Sequence, residues 1–143
     1  MEPILAPESI DLIALAPVLV LSFFAMMVLV VDLFGGRDKT LLVFISLVGL
    51  LMTAISAFAK SPIPAYSFND SYIVDHLSLF FICIFTISSA LAILLSVEYN
   101  EREGIRAGEY YALILFCTVG MILLASSTDM IMIFLGIEIV SIC

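Results

Sequence analysis

Five apolar runs, parted by short polar stretches, dominate this 143-residue sequence. They cover 10–34, 40–59, 76–97, 109–125 and 129–143, and the first four are 17–25 residues long. At about 1.5 Å per helical residue, that is enough to cross about 30 Å of hydrocarbon. In lipid every backbone N–H and C=O needs an internal partner, so such runs must be helices. The expected fold is all-α: a polytopic transmembrane helix bundle.

Composition closes the other routes. Hydrophobic residues make up 64% of the chain and charged residues 13%, with a mean hydropathy of +1.27. Soluble domains run at about 45–50% apolar and about 25% charged, so a soluble enzyme is excluded. Five Lys and Arg stand against 13 Asp and Glu, a net charge of −8. That excludes a nucleic-acid partner, which needs a basic surface. Cys83, Cys117 and Cys143 are isolated in apolar runs with no Cys-x-x-Cys or Cys/His spacing, and read as small packing residues.

Punctuation between the runs fits the same plan. Gly35 and Gly36 end the first run, and Pro62 and Pro64 stop the second. Ser61 to Val74 reads as an irregular loop, Glu98 to Gly108 as a charged, solvated one, and Asp129 as an N-cap for the fifth helix. Pro17 falls inside the first run, where it predicts a kink. Tyr66, Tyr72, Tyr99, Tyr110 and Tyr111 fall near run ends, where an aromatic belt would sit. The first eleven residues carry Glu2, Glu8 and Asp11 and no basic residue, so they are not a signal peptide.

Orientation follows from Lys and Arg. Arg37, Lys39, Arg102 and Arg106 follow the first and third runs, and only Lys60 follows the second. The loops after helices one and three are therefore expected in the cytoplasm and the N-terminus outside. From Asp129 to Cys143 is 15 residues, about 22 Å of helix. The sequence predicts that this helix is cut and that the chain is the N-terminal piece of a longer protein.

Most charged residues sit at run ends; Glu138 does not. It lies nine residues after Asp129, about 13 Å along the fifth helix and near the bilayer midplane. A buried acid there costs about 2.5–3.5 kcal/mol on insertion scales. It is therefore expected to have a partner or to line a proton or ion path, the plainer role being a hydrogen-bonded link between helices. Ser141, one turn on, shares its face. Asp32 is expected to pair with Arg37. Asp75 suits the start of the third helix. His76 stands beside it as a candidate proton relay or an ordinary interfacial residue. Thr118 is expected to bond its own helix's backbone, or a neighbouring helix.

The segment Gly108-Glu109-Tyr110-Tyr111-Ala112-Leu113 continues through Gly120-Met121, Ala125-Ser126 and Asp129. It then runs on to Phe134-Leu135-Gly136-Ile137-Glu138-Ile139-Val140-Ser141. This pattern resembles the subunit N family of proton-pumping NADH:quinone oxidoreductase, respiratory complex I, with its plastid and cyanobacterial counterparts. Val74 to Phe81 is also similar to the entry of the family's third helix. The resemblance covers the whole chain, most specifically from about residue 70 onward.

The resemblance implies an antiporter-like fold of about fourteen helices, with two inverted five-helix repeats after the first three. About five of these helices are here. Residues 1–107 would supply the three peripheral helices, and 108–143 the fourth helix and an incomplete fifth, opening the first repeat. Glu138 matches the family's mid-membrane glutamate, which pairs with a lysine on a later helix. Lys39 and Lys60 are the only lysines present and lie in predicted loops. The implied mechanism is electrostatic, a carboxylate approaching or leaving a buried lysine and so raising or lowering its pKa. Asp75, His76, Asp129 and Ser141 are accessory candidates.

No cofactor is expected in this chain: NADH, FMN, iron–sulfur clusters and quinone would belong to other subunits of the complex. Its partners would be the complex's other membrane subunits, the lipid bilayer and protons. The implied location is the bacterial cell membrane, or alternatively the thylakoid. A related cation/proton antiporter or a membrane-bound hydrogenase subunit shares these helix motifs. A non-transporting scaffold bundle is the reading from another class, and Glu138→Gln separates it from a pump.

Overall fold

The computed structural model describes residues 15–34, 39–58, 65–67, 72–103 and 107–143. These form α1 (Ala16–Phe34), α2 (Lys39–Phe58), β1 (Ala65–Ser67), β2 (Tyr72–Val74), α3 (His76–Glu103), α4 (Ala107–Ser126) and α5 (Met130–Ile142). Four helices are long and apolar enough to cross a membrane: Ala16–Phe34, Thr40–Phe58, His76–Asn100 and Gly108–Ser126. The expected helical membrane bundle is thus what the chain forms. The expectations placed on Gly35, Gly36, Arg37, Lys60, Pro62, Pro64 and Arg106 fall outside the described residues.

Helix α4 is the hub. It packs against α1, α2, α3 and α5, while the substantial packing of α5 is against α4 alone. Helices α2, α3 and α4 bury hydroxyl-bearing residues together with apolar ones on their inner faces and leave many large apolar side chains exposed on their outer faces. On α3 Ser78 is buried, and from Leu79 onward the buried positions are Leu79, Ile82, Thr86, Ser89, Ile93, Ser96 and Asn100, alternating three and four apart. The other side of α3 exposes Phe80, Ile84, Ile87, Leu91, Leu94 and Leu95. This is the arrangement lipid selects. Apolar side chains gain nothing by hiding from hydrocarbon, and small or hydroxylated ones let backbones approach.

Most interior hydroxyls are satisfied within their own helix. Ser46 donates to Leu42 O, Thr53 to Gly49 O, Thr86 to Ile82 O and Thr118 to Ile114 O, each at 2.8 Å. A hydroxyl-to-hydroxyl bond also crosses between helices. Ser89 Oγ and Thr118 Oγ1 are 2.6 Å apart. Thr118's single proton is already committed to Ile114 O, so Ser89 is the donor. Thr118 therefore bonds both its own helix and its neighbour.

Four local expectations are corrected. Helix α3 continues through Glu98, Tyr99 and Asn100 to Glu103, where a solvated loop was expected. This stretch has no glycine or proline before Gly104, so nothing in it stops a helix. Residues 65–67 and 72–74 pair as an antiparallel hairpin, Ala65 with Val74, Tyr66 with Ile73 and Ser67 with Tyr72, where an irregular loop was expected. Pro17 stands in the first turn of the described α1, where a missing N–H breaks no helical bond, so it gives no kink. Finally, Tyr72 and Tyr111 are 0% and 1% exposed and packed in the fold, while Tyr99 and Tyr110 keep the exposure a belt requires.

Candidate functional site

Helix α5 begins at a built cap. Asp129 has extended backbone, and its side chain accepts from the Ile131 N–H, as its sequence position predicts. Nine residues on, Glu138 lies about 13 Å along the helix axis. Its azimuth follows from Gly136, the one buried residue of α5. A β-carbon on Gly136 would stand 2.8 Å from Leu124 Cγ and 3.2 Å from Gly120 O. One on Gly120 would stand 2.8 Å from Val140 Cγ2 and 3.1 Å from Gly136 O. The two helices therefore cross glycine on glycine, backbone close to backbone.

Two residues after Gly136 is about 200° of helical rotation, so Glu138 points away from α4. It is exposed, flanked on that face by exposed Phe134, Leu135, Ser141 and Ile142. It makes no hydrogen bond or ion pair with a described residue. Ser141 shares the face, as expected, but is not bonded to Glu138. Glu138 stands eight residues into α5 and four before Ile142, inside the apolar stretch Met130–Val140.

The other candidates gather at the end of the bundle where α3 and α5 begin and α4 ends. Asp75 precedes α3 and accepts from the Ser78 N–H and the Ser78 hydroxyl, both at 2.8 Å. These donors hold its carboxyl below the usual aspartate value, the backbone N–H contributing most. His76 is exposed on the first turn of α3. Neither residue is brought to Glu138, which lies deeper along α5. At the opposite end, Asp32 does something the sequence did not announce. Its pairing with Arg37 lies outside the described residues. Its side chain covers Gly108 at the start of α4, so closely that a β-carbon there would overlap it. Among the described residues no cluster of His, Cys, Asp and Glu is arranged to hold a metal ion.

The Asp75 cap gives a testable pH dependence. A carboxyl whose folded pKa is depressed stabilises the fold above its unfolded pKa and loses that effect as pH falls through its folded value. The first turn of α3 is therefore expected to loosen as pH drops through and below the ordinary aspartate range, read as faster amide exchange at Ser78. Asp75→Ala should loosen it at neutral pH by about 0.5–2 kcal/mol, the usual worth of a cap, and flatten the pH response.

Ser78 was missed by sequence reading, although the spacing Asp75-x-x-Ser78 is a capping signal. Its hydroxyl also lies 3.0 Å from Ala125 O, at the end of α4. Tyr72 was missed too. Its residue bridges Ser127 on the far side of β2 from β1. Its hydroxyl is buried against Ser126, close enough for Ser126 to favour the phenolate but without a hydrogen bond of ordinary geometry. Burial outweighs that help and pushes the phenol up.

These features define an integral membrane helix bundle with one acid set in mid-helix. No family model matches the chain. Over 136 residues, 94% of the chain, it is 38% identical to NADH-quinone oxidoreductase subunit N of Trichlorobacter lovleyi. It is 38% identical to the protein of that name from Chloroflexus aggregans and 40% identical to that from Chlorobium chlorochromatii, over 93% and 87% of the chain. The chain is a homologue of NADH-quinone oxidoreductase subunit N. It spans 28%, 28% and 25% of the length of these three relatives.

Proposed function

We propose that this chain is part of a proton-translocating membrane subunit of NADH:quinone oxidoreductase, and that Glu138 is its proton-path carboxylate. The observation that carries the reading is the setting of Glu138. An acid in the middle of an apolar helix is costly in lipid, and this one faces away from the helix that anchors it. A residue serving only to tie α5 to α4 would point at α4. Its side chain instead meets whatever lies beyond α5, as the proton-path reading requires. A lysine there would have its pKa raised by the carboxylate and lowered on separation. Residues 1–107 would then form the peripheral helices and 108–143 the opening of the channel repeat.

Redox chemistry is assigned to other subunits of the complex, where NADH, FMN, iron–sulfur clusters and quinone would bind. The partners of this chain are those membrane subunits, lipid and protons. The Lys and Arg distribution orients the start of α4 and the end of α3 toward the cytoplasm of a bacterial cell. Asp75, His76 and Asp129 then lie at the outer surface. The test is NADH-driven proton uptake into membrane vesicles carrying the assembled complex with Glu138→Gln. Lost uptake with assembly intact supports the reading. Normal uptake overturns it and leaves Glu138 as interhelical glue.

A further inference from the structure

The placement of α5 raises a mechanical question: one helix carries Glu138, yet it leans on a single neighbour. Its register against α4 is set in the membrane by the Gly120–Gly136 crossing. Its other restraint is the short turn 127–129 that joins it to α4. That turn is not left to itself.

Strand β2 lies between β1 and the turn, with Tyr72 paired to Ser67 on one side and bridged to Ser127 on the other. The Tyr72 ring is 0% exposed and its hydroxyl abuts Ser126, which is 2% exposed. At the start of α3, the single proton of the Ser78 hydroxyl is shared among Asp75 Oδ1 at 2.8 Å, Ala125 O at 3.0 Å and Ile73 O at 3.2 Å. Ser126 and Ser127 at the end of α4 are thus held by the hairpin, and the carbonyl of Ala125 beside them faces the Ser78 hydroxyl at the start of α3.

We propose that β2 is a clamp that sets the position of α5, with Tyr72 and Ser78 as positioning residues for the face that carries Glu138. The consequence for pumping rests on the reading of Glu138 given above; the clamp itself does not. The clamp acts through the Tyr72 ring and backbone. The phenol hydroxyl has no well-formed bond to lose, so Tyr72→Phe is expected to be silent. Tyr72→Ala empties a fully buried site against the turn and is expected to release it.

The test uses the assembled complex in membranes. Cys83, Cys117 and Cys143 are replaced by alanine, and spin labels are placed at Leu41→Cys in α2 and Ile142→Cys in α5, both exposed positions. Pulsed electron resonance then reads where α5 sits relative to the bundle. The wild-type residue and Tyr72→Phe should give the same narrow distance distribution. Tyr72→Ala should broaden it and move its mean by about 1–2 Å, the scale of helix shifts at interfaces. In the same membranes, protons taken up per NADH oxidised should fall while NADH oxidation continues. An unchanged distribution in Tyr72→Ala overturns the clamp. Should that variant fail to assemble, Ser78→Ala, which removes the hydroxyl seated between Asp75 and Ala125 O, is read in the same way, and an unchanged distribution there overturns the clamp equally. The distance measurement makes no use of pumping. A clamp that fails beside a Glu138→Gln variant that cannot pump leaves the proton-path reading standing, and the reverse result separates them the other way.

Discussion

Glu138→Gln is expected to lower proton uptake by roughly 10²-fold or more, the scale of losing a positioned proton-transfer group, while NADH oxidation and assembly persist. Glutamine keeps the shape and hydrogen-bonding reach of the side chain and removes only its charge and its titration. Packing against α4 is untouched, because that contact is made by Gly136, Ile139 and Val140 on the other side of the helix. Glu138→Asp should keep part of the activity, since it keeps the charge and shortens the reach by one methylene. Uptake that falls equally in Asp and Gln variants would mean that the reach of the carboxylate matters as much as its charge, and a Gln variant with ordinary uptake would remove Glu138 from the proton path.

Gly136→Val is expected to cause the largest structural loss of any single change in α5. The added side chain would start 2.8 Å from Leu124 Cγ and 3.2 Å from Gly120 O. Leucine 124 can shift, but the Gly120 carbonyl is backbone and cannot move without α4. Overpacking of this kind costs about 1–3 kcal/mol. It should also displace α5, because that helix has no second substantial contact to hold it in place. Gly136→Ala should cost less, since it sets one carbon against the same atoms and lacks the two further methyls of valine. The spin-label pair at positions 41 and 142 reads the displacement, and unfolding in detergent reads the stability. A Gly136→Val protein with wild-type distance and stability would show that the glycine crossing does not set α5.

Length and polarity made the membrane helices legible, and capping chemistry made the start of α5 legible. Asp129 sits immediately before an apolar run, a purely local signal. The helix ends that went wrong lacked such a signal. Glu98 to Glu103 is charged, and charge in a membrane sequence suggests a loop, but its residues are good helix formers and α3 simply runs on. The hairpin at 65–67 and 72–74 is three residues per strand, too short for an alternating pattern to stand out.

Glu138 was found because a lone acid in an apolar run is visible in sequence. The residues that place it were not. Gly120 and Gly136 are sixteen positions apart, and only the antiparallel turn between them brings them together. Tyr72 read as an interfacial aromatic because a tyrosine near a run end commonly is one. Its burial depends on Ser126 and Ser127, more than fifty positions away, a tertiary relation with no local trace.

The interior hydroxyls have one further consequence. Along α1 to α4, the buried polar side chains among the described residues are serines, threonines and one asparagine, all neutral. Carboxylates in these helices stand at or near their ends, at Asp32, Glu98, Glu101, Glu103 and Glu109, and the described lengths between hold no lysine or imidazole. Those four helices therefore behave as an insulating wall rather than a wire: nothing within them can store a proton at ordinary pH. On the reading proposed above, the proton path would run on the far side of α5, where Glu138 is the first titratable group.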